Sequence, residues 1–136
     1  VITTHNNTLA RLALASAVRT NGAANGVAVD LNQFSNNFRD IAFVITTGTI
    51  TDGTVAVTVE ESDQSGTGFT AVDSARVLGS LPTIAAADDD TVFSFGVRPT
   101  KRYVRLVATT SGATTGGVFS AVAVLGNGGK SPVARS

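Results

Sequence analysis

Along most of this chain apolar and polar positions alternate with a period of two, which predicts β-strands rather than helices. Val55, Val57 and Val59 alternate with Ala56, Thr58 and Glu60, and Phe93, Phe95 and Val97 lie opposite Val92, Ser94 and Gly96. In YVRLVAT (103–109), Tyr103, Arg105 and Val107 share one side while Val104, Leu106 and Ala108 share the other. DIAFVITT (40–47) is a continuous apolar run, short enough to be a core strand, and Val118 to Leu125 supplies the last strand. Turn residues separate these segments. Asn25-Gly26 precedes VAVDL (27–31), and Asp52-Gly53 carries the signature of a two-residue hairpin. SDQSGTG (62–68) is a polar turn, after which Phe69 to Val72 resumes a short strand. Residues 73–90 are less regular, with Gly79 and Pro82 arguing against a long central strand.

Strands recurring about every dozen residues, with no amphipathic helix between them, predict an all-β domain: an antiparallel β-sandwich or a jelly-roll-like fold. Val57, Val59, Val104, Leu106, Val122 and Val124 are the candidates for positions near the core, although alternation forbids all of them from facing inward. The N-terminal stretch reads two ways. Leu9, Leu12 and Ala13 have helical spacing, Leu12 and Leu14 also alternate, and no turn signal folds the segment back. Residues 1–20 are read as an extended N-terminal arm, with the first strand of the domain's own sheet as the alternative. The sandwich then occupies 21–126, and a polar tail follows over 127–136.

A length of 136 residues suits one domain. Ten basic and ten acidic residues cancel, which weakens a nucleic-acid reading, because duplex binding draws on a clustered basic surplus. Cysteine is absent, so neither disulfides nor thiolate chemistry enter. Apolar runs such as Ile41–Ile45 and Ala121–Leu125 are too short to span a bilayer, so no membrane partner is expected. No basic segment precedes an apolar stretch at the start, so no secretory leader is expected either.

Candidate chemistry is thin. His5 is the only histidine and has neither a second histidine nor a cysteine to join it at a metal or nucleophile site. Serines are plentiful without a base to activate one. Asp88-Asp89-Asp90 matches no calcium-loop spacing and reads as a solvated turn. Glu60 and Glu61 are adjacent in a strand and point to opposite faces, so they cannot flank one glycosidic bond. The glycine-rich stretches TTGG (114–117) and GNGG (126–129) lack the lysine and helix start of a phosphate loop. No catalytic residue, metal ligand or cofactor is therefore expected. Two segments do suit contact with another protein. Arg98, Lys101, Arg102 and Arg105 form the only basic cluster. In the N-terminal segment, Leu9, Leu12 and Leu14 stand beside Arg11, and an apolar arm without an internal partner can add to a neighbour's exposed strand edge.

AVDLNQF (28–34), TITDGTVAVTVEESDQSGTGFTAV (49–72) and KRYVRLVATTSGATTGGVFSAVAVLGNGGKSPVA (101–134) together resemble the small structural proteins of tailed bacteriophages that decorate or cement the capsid. The resemblance implies a non-enzymatic β-rich domain on the outer surface of the virion, often a homotrimer, bound to the major capsid protein. A second resemblance is to galactose-binding-like jelly rolls of the discoidin type, which implies a carbohydrate-binding module of a phage tail or surface protein. Those domains grip sugars with exposed aromatics and a Trp-bearing motif, whereas this chain has no Trp and a single Tyr inside a strand.

Overall fold

A computed structural model describes residues 3–33 and 36–129. After a single helical turn, α1 (Thr4–Asn7), the chain is almost wholly extended. The strands are β1 (Leu9–Arg19), β2 (Gly22–Asn25), β3 (Val29–Asp30), β4 (Asn32–Gln33), β5 (Asn36–Asn37), β6 (Asp40–Ile50) and β7 (Thr54–Ser62). They continue with β8 (Thr70–Ala71), β9 (Val77–Leu78), β10 (Thr83–Ile84), β11 (Val92–Val97), β12 (Tyr103–Ser111) and β13 (Gly117–Gly126). Sheet one has the order β1-β13-β6-β11-β9; sheet two has the order β10-β7-β12-β2, with β3 also beside β12 and β8 beside β7. Every pairing is antiparallel. The predicted all-β sandwich is what forms.

One continuous core lies between the sheets. Sheet one contributes Leu9, Leu14, Ile41, Phe43, Ile45, Phe95, Val97, Phe119 and Leu125, and sheet two contributes Val55, Val57, Val59, Val104 and Leu106. Phe43 and Phe95 are cross-strand neighbours whose rings stack at 5.4 Å. The alternation read from the sequence thus holds on β7 and β12. It reverses on β13, where Phe119, Ala121, Ala123 and Leu125 point inward and Val122 and Val124 point out. The register against β6, Ala123↔Phe43 and Ala121↔Ile45, explains the reversal: small alanines fit where large side chains of the neighbouring strand already fill the layer.

Two expectations need correction. The N-terminal segment is not an extended arm: residues 9–19 are β1, paired along β13 from Leu9↔Leu125 to Arg19↔Gly117, with Leu9 and Leu14 buried. Leu9 and Leu14 are therefore core residues, unavailable to a capsid or subunit interface. Asp52-Gly53 is a turn but not a hairpin, because β6 and β7 lie in different sheets. Gly53 takes a positive φ of 90°, and the Asp52 carboxylate accepts the backbone N–H groups of Thr114, Thr115 and Gly116. These bonds, that of Gly116 foremost, hold its pKa below the usual carboxylate range. The aspartate fastens the β12–β13 connection to a sheet-to-sheet crossover.

One flank of the sandwich is sewn shut at Gly26. Its N–H donates to the Leu106 carbonyl of sheet two at 2.7 Å, and the next N–H, of Val27, donates to the Ala13 carbonyl of sheet one at 2.8 Å. A Cβ at position 26 would lie 2.5 Å from the Ala13 oxygen and 2.6 Å from the Leu106 oxygen. Only glycine lets the two backbones approach this closely.

Candidate docking faces

The outward side of sheet one is built from alternate residues of its strands. Register places Leu12, Val122, Val44 and Ser94 in one row, and Ala10, Val124, Ala42, Gly96 and Leu78 in the next. Ser120, Thr46 and Val92 follow, and Val18 pairs Val118 at the end. No side chain in these rows is charged. Leu12 is 54% exposed, Val18 65%, Val92 63% and Val122 41%. From strand spacing and rise, the face measures roughly 20 Å by 20 Å, with Ser94, Ser120 and Thr46 interrupting its apolar residues. Sheet two differs: its outward side presents Thr58, Thr109 and a Glu60–Arg105 ion pair at 2.7 Å, an ordinary solvated surface.

The basic cluster does not stay together. Alternation and turns send its members to different places. Arg105 lies on the outer side of sheet two, bonded to Glu60 and placed over the Phe69 ring at 4.1 Å. Arg102 makes a two-pronged pair with Asp30, at 2.8 and 2.9 Å, and covers the Tyr103 ring at 5.1 Å. Arg98 and Lys101 form no ion pair among the described residues. Of the N-terminal candidates, Leu12 is exposed on the sheet-one face, and Arg11 is half-buried with its Nε donating to Gln33 at 2.8 Å. These two line an open, mainly apolar groove of about 350 Å³ with Val27, Ala28, Val29, Asp30 and Gln33.

Arg39 is the cation that sequence reading missed. It is flanked by Phe38 and Asp40, so it belongs to no basic run and its charge cancels locally. Its backbone N–H bonds Gly126 at the end of β13, beside the turn that carries Arg98 and Lys101. Arg39, Lys101 and Arg102 line a concavity of about 370 Å³ together with Leu31, Asn32, Asn37, Phe38, Pro99 and Thr100. A neighbouring concavity of about 320 Å³ is lined by Arg39, Asp40, Arg98, Asn127 and Gly128.

A buried carboxylate shapes this end of the molecule. Glu61, 3% exposed, accepts Arg76 Nη1 at 2.9 Å, Arg76 Nη2 at 2.6 Å and the Thr100 N–H at 3.0 Å. The Arg76 bonds outweigh the cost of burial and hold the Glu61 pKa below the usual carboxylate range, with the Thr100 amide assisting. Its partner Glu60 faces the opposite side, as alternation requires. Glu61 therefore ties the 74–76 turn to the 98–101 turn, which carries Arg98 and Lys101. The triplet Asp88–Asp90 is a turn at the other end: Asp89 Oδ1 accepts the Ile50 N–H at 2.7 Å and Asp88 Oδ2 accepts the Ala85 N–H at 2.9 Å. Among the described residues no three His, Cys, Asp or Glu side chains gather as metal ligands, and no helix is long and apolar enough to cross a membrane. His5 is exposed in α1. Phe34 of the first resemblance motif and residues 130–136 of the C-terminal tail lie outside the described residues.

No protein-family model and no curated protein matches this chain. Solved structures do. The PBSX exported protein XepA superposes with a TM-score of 0.62 at 16% identity, covering 100% of this chain and 42% of that one, so the chain spans less than half of XepA. A pilus protein of Bacillus endospore appendages gives a TM-score of 0.44 at 16% identity, covering 88% of this chain and 85% of that one. A family 29 carbohydrate-binding module from Piromyces equi gives 0.39 at 12% identity, covering 88% and 91%. The likeness to XepA shows a shared β-sandwich fold.

Proposed function

We propose that this chain is a structural, non-catalytic virion protein that decorates the capsid of a tailed phage, as a homotrimer on the outer shell, bound to the major capsid protein. The observation that carries the reading is the outer face of sheet one, uncharged except for Asp40 where β6 begins. A solvated sheet face normally carries polar residues in alternation; here Leu12, Val18, Val44, Val92, Val122 and Val124 occupy those positions. A largely apolar sheet face suits a cement protein, which uses many modest contacts repeated by symmetry rather than one deep pocket. The sandwich shared with phage-derived XepA agrees with the reading at the level of fold. The carbohydrate alternative has less behind it, because the half-exposed rings Tyr103 and Phe69 lie under Arg102 and Arg105 and present no free stacking platform.

The test is whether a major capsid gene lies beside the gene for this chain and, with shells assembled from that capsid protein, co-sedimentation. Leu12→Lys with Val122→Lys places two charges on the face at exposed positions. Expected is loss of shell occupancy with the melting temperature unchanged. Undiminished occupancy, or the absence of a neighbouring capsid gene, overturns the proposal. So does a sugar bound in the micromolar range on a glycan array.

A further inference from the structure

We infer that the concavity lined by Arg39, Lys101 and Arg102 is a receptor for an acidic peptide segment, whose carboxylates it binds, independent of the sheet-one face. The concavity holds about 370 Å³, within the range of small-ligand sites. Its lining carries three cations and no anion. Arg102 is partly neutralised by Asp30, whereas Arg39 and Lys101 have no ion-pair partner among the described residues. The surplus suits one or two carboxylates. Three arginines are paired with carboxylates: Arg76 with Glu61, Arg105 with Glu60 and, at the concavity itself, Arg102 with Asp30. Arg39 and Lys101 thus place two cations without an ion pair on one concavity, with the Glu61 carboxylate near enough to Lys101 to feel its charge.

Carboxylate chemistry fits better than phosphate. A phosphate cradle relies on converging free backbone N–H groups, and here those of Leu31, Phe38 and Thr100 are already given to Arg102, Leu31 and Glu61. What remains is side-chain recognition. The guanidinium of Arg39 matches a planar carboxylate, and the Asn32 and Asn37 amides at the rim can bond a peptide backbone. Leu31 and Phe38 are buried and, with Pro99, form an apolar floor for the stem of an Asp or Glu side chain. The wall is held in place because Glu61 bonds the Thr100 amide and Arg76 together.

The experiment titrates a fluorescein-labelled hexaglutamate peptide into the protein at low salt and follows anisotropy, with inorganic phosphate as a second probe. Expected is saturable one-to-one peptide binding that weakens at least tenfold in Arg39→Glu/Lys101→Glu, with no matching competition from phosphate. Arg98→Glu, which alters only the neighbouring concavity, is expected to change affinity by less than about threefold when the titration is repeated at about 0.15 M salt, where the Debye length is about 8 Å. Absence of saturable binding overturns the inference. Competition by phosphate at equal concentration does so as well, and so does an equal loss in Arg98→Glu, which would mean a diffuse field and not a site. Because the sheet-one face is untouched in these variants, failure here leaves the capsid reading standing.

Discussion

Gly26 and Glu61 each do work that their local sequence announces only in part. Asn25-Gly26 reads as a turn, yet the glycine is needed because the carbonyls of Ala13 and Leu106 crowd its Cα from two sheets. Gly26→Ala is therefore expected to cost about 3 kcal/mol, in the manner of an overpacked core. Gly66→Ala, where a new Cβ meets nothing within 4 Å, should stay within about 0.5 kcal/mol; urea unfolding of both variants checks the contrast. Glu61 was legible as a strand residue facing away from Glu60, but its burial was not, because its partners Arg76 and Thr100 lie 15 and 39 residues away. Glu61→Gln should lower stability at neutral pH by roughly 2 kcal/mol, the size of a lost charged hydrogen-bond set. The pH dependence follows in sign. Since folding depresses the Glu61 pKa, its contribution is present above the usual carboxylate range and is lost as pH falls through the depressed value. Melts from pH 7 downward should show wild type and Glu61→Gln converging in acid; a constant gap would remove the ion pair from the explanation.

β1 is the element whose role only its neighbours settle. Its pattern of buried and exposed positions is irregular because pairing with β13 slips twice, between Leu12 and Leu14 and again between Leu14 and Ala17. Those slips blurred the alternation, which is why helical spacing, an arm and a strand all fitted the letters. The bulges also interrupt an edge that would otherwise invite strand addition. Deleting residues 1–12 removes Leu9 from the core and uncovers part of β13. The truncated protein is expected to melt at a markedly lower temperature and to scatter light on warming; an unchanged melting temperature would contradict an integral β1. By contrast, β7, β11 and β12 were legible from their alternation, because each packs one side on the core and pairs without a bulge, although Val107 on the outer side of β12 is buried as well.

Taken whole, the molecule separates an apolar surface from a charged one. The sheet-one face is uncharged except for Asp40 where β6 begins, while the opposite character gathers at the end that bears Arg39, Arg98 and Lys101, none of them in an ion pair among the described residues. Zero net charge concealed this arrangement, since composition sums charges that folding places apart. If both surfaces serve contacts, salt should affect them oppositely: screening weakens the basic concavity and leaves apolar docking largely intact. By itself the sequence determined the fold class, most strand positions and the inward side of β7 and β12, because period-two alternation and turn chemistry are local properties of the chain. It could not decide sheet membership. Asp52-Gly53 carries the letters of a hairpin, yet it joins two sheets, because the partners of β6 and β7 come from distant strands. Nor could it say that the valines of β13 face outward while its alanines fill the core, since that depends on the register against Phe43 and Ile45. Arg39 joined Lys101 through tertiary structure alone: β13 brings Gly126 to the Arg39 backbone, beside the turn before β12. Local pattern fixes which residues can be strands; long-range pairing decides which surfaces they make.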